Sequence, residues 1–377
     1  MPDLQRMLEE FQQLVRIDCA TKDERLVVDA LLAKLKSMGL HPEEDDTGEK
    51  IGGNAGNIFF TVPGNLDGPT VMFCAHTDRV LPGSGIQPQV LEDRVTSDGS
   101  TILAADDLAG VVQILEAIRL LEEEGIPHAT VEILFTVSEE SGLLGARHFD
   151  VTKSAADYAF FLDGGGSIGN LVVQAPYSGR ITAKVLGRAA HAGGEPEKGL
   201  NAIVVAAHAL VNMTLGRIDF ETTANIGLIN GGLATNIVPD TVVLQGESRS
   251  LQPAKLRAQL DHMVAAINDA TAKFDTTAEI TVTESNLGYA LSSDEPIVKL
   301  ACAATTAMGL TPNLIPTGGG SDANVIRSKG IPSMVIPNGL MNAHRLDEYV
   351  LFDDLTKGTE LVLSIIKTAL EFPKQPR

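Results

Sequence analysis

Five short segments of this sequence carry side chains able to hold a cation or move a proton, and each is attached to an apolar run. TVMFCA leads into His76-Thr77-Asp78, TILAA into Asp106-Asp107, VEILFTV into Ser138-Glu139-Glu140 and YAFFL into Asp163, while SMVIP is followed by Asn342-Ala343-His344. Taken singly these are ordinary. A His-x-Asp after a strand makes a hydrogen-bonded turn, paired glutamates start solvated helices, and an Asp-Asp pair caps a helix. Caps do not explain why four strands end in ligand-type residues, and in open α/β sheets ligands bind beyond the carboxyl ends of the strands. Clustered carboxylates repel in a low dielectric, a conflict that bound cations resolve.

The residue types select the metal. Two imidazoles with three carboxylates and no thiolate suit zinc, with manganese or cobalt as substitutes, and are too nitrogen-rich for magnesium or calcium. One carboxylate shared by two ions leaves a histidine and a terminal carboxylate for each, which is the donor set of a dinuclear hydrolytic centre. Two cations roughly 3.5–4 Å apart lower the pKa of a shared water and polarise a carbonyl, so hydroxide can attack at neutral pH. A carboxylate that is not a ligand must then carry the proton. In Glu139-Glu140 adjacent side chains point differently, so one can ligate while the other faces the water.

The elements that position these residues follow from hydrophobic period. NIFFTV, TVMFCA, VEILFTV and YAFFL are short β-branched runs, and DLAGVVQILEAIRLLEEEG between them places Val111, Leu115, Ile118 and Leu121 on one helical face before Gly125. That alternation predicts an α/β domain with a mostly parallel sheet. After Pro176 the order becomes β-α-β-β-α-β, from RITAKVL to EITVTES, the pattern of a ferredoxin-like sandwich. The α/β style returns near Leu291 with a helix, the SMVIP strand and a last helix from about Phe352 to Leu370. The expected organisation is therefore a catalytic domain over 1–177 and 293–377, with residues 178–292 inserted as a dimerisation or lid domain.

Composition narrows the partners. The 377 residues carry a formal charge of −20, which repels a phosphate backbone and excludes nucleic acid and anionic membrane surfaces as natural partners. No apolar run approaches the roughly 18 residues of a membrane span. The opening MPDLQRMLEEFQQLV has a helical period with acids on its other face, unlike the basic-then-apolar pattern of a secretory signal. Cys19, Cys74 and Cys302 are scattered and odd in number, which predicts reduced thiols in a cytoplasm.

FCAHTDRV, LAADDLAG, TVSEESGLLGA, FLDGGG, HAGGEPEKGLNA, TNIVPD, TGGGSDAN and NAHRLDEYV together resemble the peptidase T branch of the dinuclear-zinc aminopeptidase, carboxypeptidase and aminoacylase family, in family order over nearly the whole chain. The resemblance implies two zinc ions per chain, with His76 and Asp163 on one, Glu140 and His344 on the other, and Asp106 between them. It implies Glu139 as general base, Asp78 as the acid that orients a ligand histidine, and a cis peptide between Asp106 and Asp107. It also implies an aminopeptidase releasing the N-terminal residue of tripeptides or other short peptides. A carboxypeptidase or an N-acyl-amino-acid deacylase of the same family is the alternative, and a non-catalytic binding protein would need no general base.

Further expectations follow from the resemblance for the inserted domain. His191, in the glycine-rich GRAAHAGGEP, would donate to an oxyanion in a neighbouring subunit, making the protein a homodimer. Arg249 would clamp a substrate carboxylate, and Asn236 would contact substrate. Gly318-Gly319-Gly320-Ser321-Asp322 reads as a loop allowing close approach to a ligand. The family usually has lysine at Leu108, so the resemblance implies no electrostatic role for that position here, and it usually has a small or hydroxyl residue at Arg79, so substrate preference near that rim is not carried over by the resemblance. Gly164-x-Gly166-x-x-Gly169 mimics a dinucleotide fingerprint but precedes NLVVQAP, which is no helix. His41, His128, His148, His208 and His262 lie outside the motifs and read as structural.

Overall fold

The computed structural model describes residues 1–285 and 287–375, and they divide into two compact units. The first comprises Met1–Val173, Leu291–Pro316 and Ser321–Arg377, and the second Gln174–Ala290 and Thr317–Gly320.

The first unit is built on a central sheet whose middle is parallel. Val131–Thr136, Val71–His76, Tyr158–Gly164 and Ser333–Pro337 lie side by side in that order, each pair parallel. Ile58–Val62 joins Val131–Thr136 antiparallel on one side, and Val172 of the strand Asn170–Ala175 pairs antiparallel with Val335 on the other. Val71–His76, Val131–Thr136 and Ser333–Pro337 are buried at every position, as continuous apolar runs covered on both faces must be. The long helix Ala105–Glu123 packs against Val71–His76 and the last helix, Phe352–Ala369. Its burial extends beyond the predicted stripe to Gln113 and Glu116. Gly110 permits the approach to the Asp163 strand, since a Cβ there would stand 2.8 Å from the Leu162 carbonyl oxygen.

A smaller antiparallel sheet in the same unit runs Leu340–Met341, Tyr349–Leu351, Arg94–Thr96, Gln89–Val90. Its first hairpin carries the loop with His344, and its third strand leads toward Asp106. Among the described residues no helix is long and apolar enough to cross a membrane.

The second unit has the β-α-β-β-α-β order read from the sequence. Its main strands lie in the order Thr222–Gly231, Thr241–Ser250, Tyr177–Leu186, Ala278–Ser285, all antiparallel. Helices Ala202–Asn212 and Pro253–Lys273 pack on the sheet over a core that includes Ile181, Val205, Leu244, Met263 and Ile267. A two-residue strand, Gly216–Arg217, pairs with the start of the outer strand at Thr223 and Ala224, leaving the rest of that edge without a strand partner among the described residues.

Candidate active site

The parallel strands end together, and His76, the Ser138-Glu139-Glu140 turn and Asp163 leave them at one edge. Asp106 stands among them with its two oxygens divided. Oδ1 is 3.0 Å from His76 Nε2, and Oδ2 is 3.2 Å from His344 Nε2. On the His344 side Glu140 Oε1 lies 2.8 Å from the same Nε2, and on the His76 side Asp163 Oδ1 lies 4.0 Å from the ring nitrogen. Ligand atoms of His76, Asp106 and Glu140 fall within 4.8 Å of one another, as do those of His76, Asp107 and Asp163. Glu139 belongs to neither cluster and is buried beside them. The Asp106–Asp107 peptide is cis, as the resemblance implied.

The electrostatics call for positive charge. Burial raises the Asp163 and Glu139 carboxyls well above the ordinary carboxylate range, with the Asp106 charge adding to the shift at Asp163 and the Asp163 charge adding to it at Glu139. Hydrogen bonds to Asp106 and Glu140 push His344 up to about 10. Burial alone would lower His76, but Asp106 and Asp78 carry it well above its usual value. Asp106, whose burial would raise it, is instead drawn far down by the two imidazoles. Among the described residues no lysine or arginine forms an ion pair with Asp106, Glu139, Glu140 or Asp163. Two divalent cations would supply the missing charge, and imidazole nitrogens with carboxylate oxygens are the donors such ions take. The residues present fit the group.

The backbone at His76, at Asp106 and at the Glu139-Glu140 turn is held by buried carboxylates. Asp107 Oδ2 accepts the His76 N–H at 3.1 Å, while Asn338 Nδ2 donates to Asp107 Oδ1 at 2.7 Å. Asp78 was expected to orient His76, and its carbonyl oxygen and Oδ1 stand 3.1 and 3.4 Å from Nδ1. Its carboxylate also accepts the N–H groups of Glu139 at 2.9 Å and Glu140 at 3.3 Å. Thr21 Oγ1 donates to the same group, and Glu24 Oε1 accepts both the N–H and the hydroxyl of Ser138. Glu348 accepts the N–H of Asp106 at 3.0 Å on Oε1, and those of Leu103 and Ala104 at 2.9 and 3.1 Å on Oε2. Burial carries Glu348 up to about 7 despite these donors.

A family model described as Peptidase family M20/M25/M40 matches residues 72–368. The chain belongs to that family. Aminopeptidase PepT from Bacillus cereus is 41% identical with a TM-score of 0.85, covering 98% of this chain and 99% of its own. A tripeptidase from Staphylococcus aureus is 36% identical with a TM-score of 0.91, covering 98% of this chain and all of its own. The protein YqjE of Bacillus subtilis is 42% identical over 369 residues, 98% of this chain and 100% of the relative. This M20 chain is thus a hydrolase of the metallopeptidase class with candidate ligands for more than one ion.

The second unit of the M20 chain holds its expected residues by contacts with their own strand or loop and with facing loops. His191 is exposed, and its Nδ1 accepts the N–H groups of Gly193 and Gly194 at 3.2 and 3.0 Å, which leaves the proton of a neutral ring on Nε2, pointing away from the loop's own donors. Asn236 is also exposed, and its carbonyl accepts the Ala192 N–H at 3.0 Å. Arg249 is engaged by Glu247, two residues back on the same strand face, through bonds of 3.0 and 3.2 Å, and donates to the Gly318 carbonyl at 3.3 Å. A Cβ at Gly318 or Gly320 would meet no other part of the chain within 4 Å.

Arg79 corrects an expectation. It is not at a rim but 1% exposed. Its guanidinium donates to the Cys19 sulfur at 3.0 and 2.8 Å, to the carbonyls of Val15 at 2.9 Å and Gly83 at 3.1 Å, and to that of Ile17. A small residue there would leave those acceptors unmet, so Arg79 fastens the end of helix Leu4–Val15 to the His76 strand. Leu108 is likewise buried, at 1%. Sequence reasoning passed over Glu24, Asn338 and Glu348, although Glu348 lies inside a quoted motif. Of the outlying histidines, His128 meets the Ala129 carbonyl and His262 accepts the Thr214 N–H.

Proposed function

We propose that this chain is a dinuclear-zinc aminopeptidase that releases the N-terminal residue of tripeptides and other short peptides. The placement of Asp106, with one oxygen toward His76 and the other toward His344, carries the reading. His76 and Asp163 would hold one ion, Glu140 and His344 the other, and Asp106 both. Two imidazoles with carboxylates and no thiolate favour zinc, with manganese or cobalt able to substitute. The names of the Bacillus cereus and Staphylococcus aureus relatives support peptide substrates and attack at the amino end.

When bound, the two ions would polarise the scissile carbonyl and make a water nucleophilic at neutral pH. Glu139, buried beside the ligand clusters and belonging to neither, takes the proton from that water and delivers it to the leaving amine. Asp78 fixes the Glu139 backbone and the His76 ring at once. His191 Nε2–H is the donor for the developing oxyanion in a second copy of the chain, and Arg249 binds a substrate carboxylate once Glu247 yields, with Asn236 beside the His191 loop as a further substrate contact.

A homodimer is supported by apolar residues exposed on the second unit, Ile203, Val204 and Val211 on one helix and Leu228 and Ile229 on the strand with an open edge. Three free cysteines support a reducing, cytoplasmic setting. A panel of Ala-Ala, tripeptides, tetrapeptides and N-acetylated amino acids tests the substrate class. Cleavage of tripeptides at the amino end is expected, and cleavage of blocked amino acids alone would make the chain a deacylase.

A further inference from the structure

The segment before Asp106 turns its backbone N–H groups inward. Ala104 sits in the left-handed region at φ 62°, and the amides of Leu103, Ala104 and Asp106 converge on one point. Successive amides in such a turn form a concavity that takes an anion. Here the anion is the chain's own Glu348, a side chain with no exposed surface, from a segment more than 240 positions away in sequence.

Glu348 stands four residues after His344, on the loop between the strands Leu340–Met341 and Tyr349–Leu351. That loop is fixed again where Thr96 Oγ1 donates to the Glu348 carbonyl at 3.0 Å and where Asn342 and Arg345 both engage Asp347. His344 itself has φ 64°, so the loop has little freedom to re-aim the ring without moving its ends. One carboxylate therefore ties the backbone of Asp106 to the loop that presents His344.

We propose that Glu348 is a positioning residue that sets the spacing between Asp106 and His344, and so the affinity for the ion those two would share with Glu140. It touches neither substrate nor ion and acts only through the two ligands. The inference rests on the dinuclear reading above. Glutamine is the discriminating replacement, because it has one acceptor oxygen where the turn needs two. Either the Asp106 amide or the Leu103–Ala104 pair would then face an N–H₂ group.

The test is zinc titration of chelator-stripped protein, with competition against a chromophoric chelator to separate the two equivalents. Wild-type chain should take two ions, and folded Glu348→Gln should bind the second about 10- to 100-fold more weakly, with excess zinc restoring turnover. Glu348→Asp, measured in parallel, keeps the charge and shortens the reach, and should also bind the second ion more weakly if the glutamine variant does not fold. A folded variant that melts earlier as apoprotein yet keeps both zinc affinities would overturn the proposal, since that is what a merely structural residue does. A wild-type chain that takes fewer than two ions would overturn the dinuclear reading and this inference with it.

Discussion

The two units hold their proposed functional residues in opposite ways. In the first, three of the ligand-bearing turns are fastened by a buried carboxylate from a remote segment: Asp107 to His76, Asp78 to Glu139 and Glu140, Glu348 to Asp106. In the second, His191, Asn236 and Arg249 are held by neighbours close in sequence or by one facing loop, and the first two are exposed. The first arrangement ties the ligand-bearing backbone to parts of the chain far away in sequence. The second leaves His191 and Asn236 exposed, as the proposed contacts with substrate require.

The contrast can be broken most forcefully at Glu139. Glu139→Gln retains size and leaves the ligand set intact, so turnover should fall by roughly 10²–10⁴-fold with zinc content unchanged by elemental analysis. Glu140→Gln should instead lose metal. Opposite behaviour of the pair would exchange base and ligand. His76→Ala and His344→Ala extend the same test, since full metal occupancy in both would remove the proposed centre.

In the second unit, His191→Ala should lower kcat by about 10²-fold without releasing zinc. Co-expression with Glu139→Gln subunits should then restore partial activity, because a mixed dimer has one site with an intact base and an intact donor from the other chain. A mixed dimer verified by mass yet inactive would leave His191 as a surface residue. A smaller effect is expected at Arg249. Arg249→Lys loses the two-pronged geometry, so KM for peptides with a free carboxyl end should rise about tenfold while amidated peptides change little. Equal changes for both would mean that Arg249 serves only Glu247.

The smallest effect sharpens what the first unit's remaining charges do. Burial would raise Glu10, but hydrogen bonds from Arg119 and Lys34 hold its carboxyl below the ordinary value. A carboxyl lowered by folding contributes stability at pH above its unfolded value and loses it as pH falls through the folded one. Melting temperature should therefore decline on acidification below about pH 4, and Glu10→Gln should melt a few degrees lower at neutral pH with a flatter acid limb. An unchanged acid limb would assign the loss to other carboxylates.

Much of the proposed centre was legible because ligands stand at strand ends and strands announce themselves by β-branched runs. The second unit was legible for the same reason, its helices and strands alternating with clear periods. Asp78 was read as a histidine partner, yet its hold on the Glu139 and Glu140 amides joins two strands whose adjacency the sequence does not state. Glu348 and Glu24 had no signal of their own, because an acid that accepts distant backbone amides looks like any solvated acid. Arg79 was misread for the reciprocal reason: an arginine in a motif suggests a surface, and nothing local reveals that helix-end carbonyls and a thiol await it. Glu247, two places before Arg249, was the one partner that strand alternation could have disclosed.

Residues 72–368 carry every proposed ligand and the base, and they are also the span that the family model matches. A chain trimmed to that span would nonetheless lose Val15, Ile17 and Cys19, which receive Arg79, along with Thr21 and Glu24, which brace Asp78 and Ser138. Five residues that keep the His76 and Glu139 turns in place come from the stretch that would be cut away. The leading seventy residues are thus part of the catalytic machine's frame, and transplanting the recognisable portion into another protein would carry over the tools without the vice that grips them.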